Sequence, residues 1–185
     1  FPSLWSQVMP NPTDYTATKT AGLDLIFEEL VSSSTASVDT GTLATGYKSL
    51  RIEIGLRSNR SDTQDVLGVY FNGDTTATNY NYYQHRYGIN HDDAEVANTR
   101  FAGIAGNNAG AGYLSGSVSS ILDHESSNTG KYWVTHSVIG DSSSRINGQH
   151  HSGYWESSAA ITSISFFPIH GTSLELGYVR VYGVR

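Results

Sequence analysis

The chain has 185 residues, no cysteine, 11 Lys and Arg against 17 Asp and Glu, and a formal net charge of −6. This length fits one domain that buries about 70% of the surface its unfolded chain exposes, and the absence of cysteine excludes disulfides and thiolate metal centres. Basic residues occur singly, leaving no patch to neutralise phosphates, and no apolar run approaches the ~18 residues that cross a bilayer, so neither nucleic acid nor membrane insertion is expected.

Residues 1–22 carry Pro2, Pro10 and Pro12 among Ser and Thr and show no sustained period, which predicts an extended N-terminal arm. Trp5 and Tyr15 are its expected contacts to a partner. Residues 23–31 also fit helical spacing, but Ser32-Ser33-Ser34-Thr35 follows at once and favours a strand. Residues 49–58 alternate strictly, with Leu50, Ile52, Ile54 and Leu56 on one face and Arg51, Glu53 and Arg57 on the other, as in a half-buried strand. Residues 65–71 repeat the pattern through Leu67, Val69 and Phe71, and Asn72-Gly73 supplies the φ > 0 pair of a tight turn. The Tyr-rich residues 79–87 then form a return strand, by a hairpin or by a longer loop over 74–78.

Further strands are expected at 99–104, 117–124, 132–139, 148–156, 161–167 and 174–184, the last two pairing with each other. Residues 105–112 are too rich in glycine for an element interior and read as a flexible surface loop. In the last strand the apolar phase moves from Leu174 and Leu176 to Val179 and Val181, implying a bulge near Gly177 or burial on both faces. With 19 Gly, 12 Tyr and only 15% charged residues, the composition suits strands joined by polar turns. The fold class expected is therefore all-β: an antiparallel β-sandwich of jelly-roll type over residues 23–185, preceded by the 1–22 arm.

No catalytic residue, metal site or cofactor is expected. His150 and His151 are adjacent and on a strand would point to opposite faces, and no His-x-His occurs. Asn90-His91-Asp92-Asp93-Ala94-Glu95 gathers oxygen ligands but lacks the spacing of a calcium loop, so it reads as a solvated acidic loop. Asp123, Glu125, Glu156 and Glu175 could supply a glycosidase pair only if folding brought two within about 5–10 Å. Gly-x-Ser-x-Gly and phosphate-loop signatures are absent, so the chain is not expected to be an enzyme. The aromatics are the better lead: Tyr80, Tyr82, Tyr83 and Tyr87 could stack on sugar rings or anchor a protein interface, although roughly half of the aromatics in a sandwich face its core. Trp155 reads as a core plug.

Four segments carry a resemblance. Gly46-Tyr47-Lys48-Ser49-Leu50-Arg51-Ile52 leads into a long strand, and Val69-Tyr70-Phe71-Asn72-Gly73-Asp74 is followed by Asn79, Tyr80 and Tyr82. Trp155 precedes Ser158-Ala159-Ala160-Ile161-Thr162-Ser163-Ile164, and Tyr182-Gly183-Val184 closes the last strand. Over residues 23–185 the chain resembles a group of small jelly-roll virion proteins of tailed bacteriophages. The resemblance implies a non-enzymatic structural protein on the surface of the virion, or otherwise extracellular. A capsid decoration (cement) protein that binds the major capsid protein or another virion protein is the first expectation. A tail or head-fibre module recognising a host glycan is the second, and a carbohydrate-binding module the third. A homo-oligomer is implied, trimers being common among such modules. No catalytic residue is carried over.

Overall fold

The computed structural model describes residues 22–87, 96, 97, 99–142 and 146–185. Strands account for 59% of these residues and helix for 4%, which places the chain in the all-β class. Three strands have the expected bounds: β1 (Leu23–Val31), β3 (Ser49–Ser58) and β12 (Leu174–Val184). Others differ by a few residues at their ends, namely β4 (Gln64–Phe71), β5 (Tyr80–Tyr87), β7 (Arg100–Ala105), β8 (Ser115–Leu122), β9 (Lys131–Gly140), β10 (Ile146–Trp155) and β11 (Ile164–Pro168). Two-residue strands β2 (Val38–Asp39) and β6 (Val96–Ala97) complete the set. The 1–22 arm, apart from Gly22, and the 90–95 loop lie outside the described residues.

The pairings build two layers. The larger runs β1-β12-β3-β8-β9-β10-β5-β6, and the smaller runs β2-β11-β4-β7. A single parallel bridge, Arg57 to Ala105, joins them at one corner, while all other pairings between strands are antiparallel. β7 also packs across the interior against β9 and β10, so the layers form a sandwich. Four pairs nest one inside another: β1 with β12, β2 with β11, β3 with β8, and β4 with β7. β5 and β6 are inserted between β4 and β7, β9 and β10 between β8 and β11, and all four widen the larger layer.

The closing strands do not pair with each other as expected. β11 lies between β2 and β4, whereas β12 lies between β1 and β3 in the other layer. Each thereby satisfies two ladders, which a terminal hairpin would have left as open edges. Asn72 and Gly73 do adopt the left-handed pair, at φ 54° and 70°, and the Asp74 amide donates to the Phe71 carbonyl at 2.9 Å. The turn does not return the chain along β4, however. β5 crosses to the larger layer and pairs with β10 and β6.

Residues 105–112 reach the surface at Asn107, Asn108, Ala111 and Gly112, as expected, but are anchored from within. Ala105, Gly106 and Ala109 are buried, and Gly106 lies so close to the Asp62 carbonyl that a Cβ would sit 2.2 Å from its oxygen. The expected irregularity of β12 is present, with a register shift between Leu174 and Leu176. Gly177 follows at φ 129°, its backbone pressed on the Gly55 carbonyl.

Leu50, Ile52, Ile54 and Leu56 of β3 are fully buried, as their alternation requires. They share one core with an aromatic cluster in which the Phe71 ring stands 5.6 Å from both Trp133 and Trp155, and Phe101 stands 5.6 Å from Phe166. The four resemblance segments meet in pairs around this core. Asn72 accepts the Thr162 and Ser163 amides at 2.7 and 3.1 Å and donates to the Ala160 carbonyl at 2.7 Å. Asp74 accepts the Trp155 indole N–H and the Asn79 amide, both at 2.8 Å. The Tyr47 ring covers Gly183, where a Cβ would stand 2.4 Å from it.

Candidate functional site: a polar cleft and an exposed sheet face

A cleft of about 740 Å³ opens at one end of the sandwich, where β4, β5, β7, β9 and β10 converge. In this half the inward positions are polar, and they form one buried relay. Arg100 on β7 donates to the Tyr82 hydroxyl at 3.2 Å, and that hydroxyl donates to Gln84 at 3.2 Å. Gln84 donates to Gln149 at 3.1 Å, and Gln149 donates to Gln64 at 3.1 Å. His151, fully buried, stands with Nε2 3.0 Å from the same Gln149 oxygen. A buried chain of this kind holds its members in one geometry, because each lost partner leaves a desolvated polar group.

Three guanidiniums line the cleft: Arg60, Arg86 and Arg100. Arg60 is engaged by Asp62 at 3.1 Å. Asp65 is consumed by the loops around it, accepting the Ser58 hydroxyl and the amides of Val66, His170 and Gly171 at 2.7–3.2 Å. Arg100 lies over the Tyr82 ring at 5.4 Å, and its buried Nε has no hydrogen-bond partner. Burial, reinforced by Arg86, His150 and Arg100, lowers the His151 pKa to about 3, so this ring stays neutral beneath the two guanidiniums. With Asp141 also in its lining, the cleft presents both signs of charge, together with guanidiniums of the kind that bind a carboxylate, amides of the kind that bind hydroxyls, and the exposed Tyr87 ring at its rim.

The second surface is the outer face of the larger layer. Leu122 faces Tyr132 across β8 and β9, and Tyr132 faces Tyr154 across β9 and β10 with ring centroids 4.6 Å apart. Val134, Val138 and Tyr83 occupy neighbouring rows, and Ile146 stands at the end of β10. All of these but Tyr154 are large hydrophobic residues at least 39% exposed, a concentration unlike scattered surface apolar residues. One further row across this face reads Val118, His136, His150, His85 on successive strands.

The four sequence-predicted tyrosines divide by strand parity. Tyr80 and Tyr82 are 0% and 2% exposed and belong to the core and the relay, so they are not surface contacts. Tyr83 and Tyr87, at 42% and 59%, face outward. Trp5 and Tyr15 lie outside the described residues. None of the four carboxylates weighed for hydrolysis lines the cleft. Glu125 accepts the Gly46 and Tyr47 amides, and Glu175 accepts the Ser34 and Ser173 hydroxyls. His150 and His151 do point to opposite faces. Among the described residues no three His, Asp or Glu side chains are grouped to hold a metal. The sequence reading missed Arg86, Arg100, Gln84 and Gln149; inward positions filled by polar residues at the end of β5 and the start of β10 were the available signal.

No protein-family model, curated protein or solved structure matches the chain.

Proposed function

We propose that the protein is a non-enzymatic virion structural protein of a tailed bacteriophage, a jelly roll that docks through the outer face of its larger layer onto the major capsid protein or another virion protein as a decoration subunit. The observation that carries this reading is that face itself, where Leu122, Tyr132, Val134, Val138 and Tyr83 stand exposed on adjacent strands. A rigid sheet presenting aromatic and β-branched side chains gives contact area at little entropic cost. The jelly-roll reading rests on the four nested strand pairs, and the virion context on the Asn72, Asp74, Trp155 and Tyr47 segments that resemble phage virion proteins. The 1–22 arm precedes β1, an edge strand, from which it could reach a neighbouring subunit.

A second reading, a fibre module that recognises an acidic host glycan, is favoured by one specific observation: Arg86 and Arg100 in a cleft rimmed by Tyr87. One pair of variants separates the two. Tyr132→Asp with Val138→Asp should abolish cosedimentation with purified phage heads while leaving glycan binding intact. Arg86→Ala with Arg100→Ala should leave cosedimentation unchanged. Retention of head binding by the outer-face variant, with the fold intact by circular dichroism, would refute docking through this face. Loss of glycan capture in the arginine variant alone would establish the second reading.

A further inference from the structure

We propose that His136 and His150 form a two-histidine chelate for a tetrahedral divalent metal ion, Zn²⁺ in the first instance, on the outer face of the larger layer. The two residues are direct partners on β9 and β10, and their Nδ1 atoms stand 3.4 Å apart. Two imidazole nitrogens bound at 2.0–2.1 Å to a tetrahedral ion stand about 3.3–3.4 Å apart, whereas adjacent ligands on a square-planar ion stand about 2.8 Å apart. The observed spacing, at which the two rings share a long hydrogen bond when no ion is bound, matches the bite of a tetrahedral ion.

The surroundings hold this geometry. His136 has Val134 and Val138 beside it on its own strand face and Val118 opposite on β8, so stiff β-branched side chains flank it on three sides and the side toward His150 is the open one. His150 is flanked on its own strand face by Gly148 and Ser152, both small, with the Tyr87 ring lying against Gly148. The ring centroids lie 4.8 Å apart. Binding takes the tautomers with both ring protons on Nε2, so that both Nδ1 lone pairs are available to the ion. His85 is the next histidine in the row, but its ring stands edge-on to Tyr87 at 4.9 Å, so the chelate uses two protein ligands.

The test is calorimetric titration of the full chain with ZnCl2 in a non-chelating buffer at neutral pH. One saturable 1:1 event is expected, weakened at least about tenfold by His136→Ala or His150→Gln and by less than about threefold in His85→Ala. In ¹⁵N-labelled protein the Nδ1 resonances of His136 and His150 should move together on zinc addition. Absence of saturable binding up to about 1 mM ZnCl2 overturns the proposal. So does binding that survives both variants, or a loss in His85→Ala as large as theirs.

Discussion

Gly153 sits on β10 directly opposite Trp133 on β9, and the indole folds into the space a side chain would fill: a Cβ there would lie 1.9 Å from the Trp133 ring. The same exchange of a ring for a missing side chain occurs at Gly68 under Phe167 and at Gly55 under Tyr178, each a direct cross-strand pair. An aromatic ring laid over a glycine removes apolar surface from water on both strands, and this is one use the chain makes of its 19 Gly and 12 Tyr. Gly153→Ala should therefore cost about 2–3 kcal/mol, because Trp133 must leave a place where it also packs edge-on against Phe71. Urea denaturation followed by tryptophan fluorescence measures this. Gly116, whose Cβ would meet nothing within 4 Å, is the matched control and should tolerate Ala.

At the scale of elements, the turn after β4 and the segment leading into β11 behave as one device. Asp74 joins Asn79 and Trp155, Asn72 joins residues 160–163, and Asn79 and Trp155 hold the carboxyl of Asp74 down at about 2. Asp74→Ala leaves the indole N–H of a 2% exposed tryptophan without an acceptor, a loss of about 1–3 kcal/mol that Asp74→Asn should partly restore. Thermal unfolding of the two variants tests the ordering. Much of this was legible beforehand: the alternation of β3, the left-handed turn and the irregularity before Gly177 are all set by residues close in sequence. The destination of β5 was not, because tyrosines occupy both of its faces and aromatic pattern alone cannot say which is inward. Nor was the His136–His150 pair, since residues 14 apart on neighbouring strands are seen to meet only once register is fixed. The cleft was hidden for a further reason. Its inward residues are polar, and period-two reasoning assigns polar residues to the solvent side.

For the molecule as a whole, four histidines act in the same direction. Burial lowers the pKa of His124, His150, His151 and His170, in the last three with help from neighbouring His or Arg groups, and His151 falls furthest, to about 3. A histidine whose folded pKa lies below its unfolded value of about 6.5 takes up its proton more readily when the chain unfolds. Its contribution to stability is complete above that value and is lost progressively as pH falls toward the folded pKa. For His151, fully buried in the relay beneath Arg86 and Arg100, the loss is on the order of 4 kcal/mol when pH is taken from above 6.5 to near 3. Asp74 adds to the decline below its ordinary value of 3.8, as its carboxylate is protonated on the way to about 2. Stability should thus be flat near neutrality and fall continuously with acidification from about pH 6.5. Denaturant midpoints across this range measure it, with His151→Gln as the discriminating variant. Removing that ring should lower stability at neutral pH, because Gln149 loses a partner, yet flatten the slope between neutrality and pH 4. An unchanged slope would mean that proton uptake at the relay does not govern the acid sensitivity of the fold.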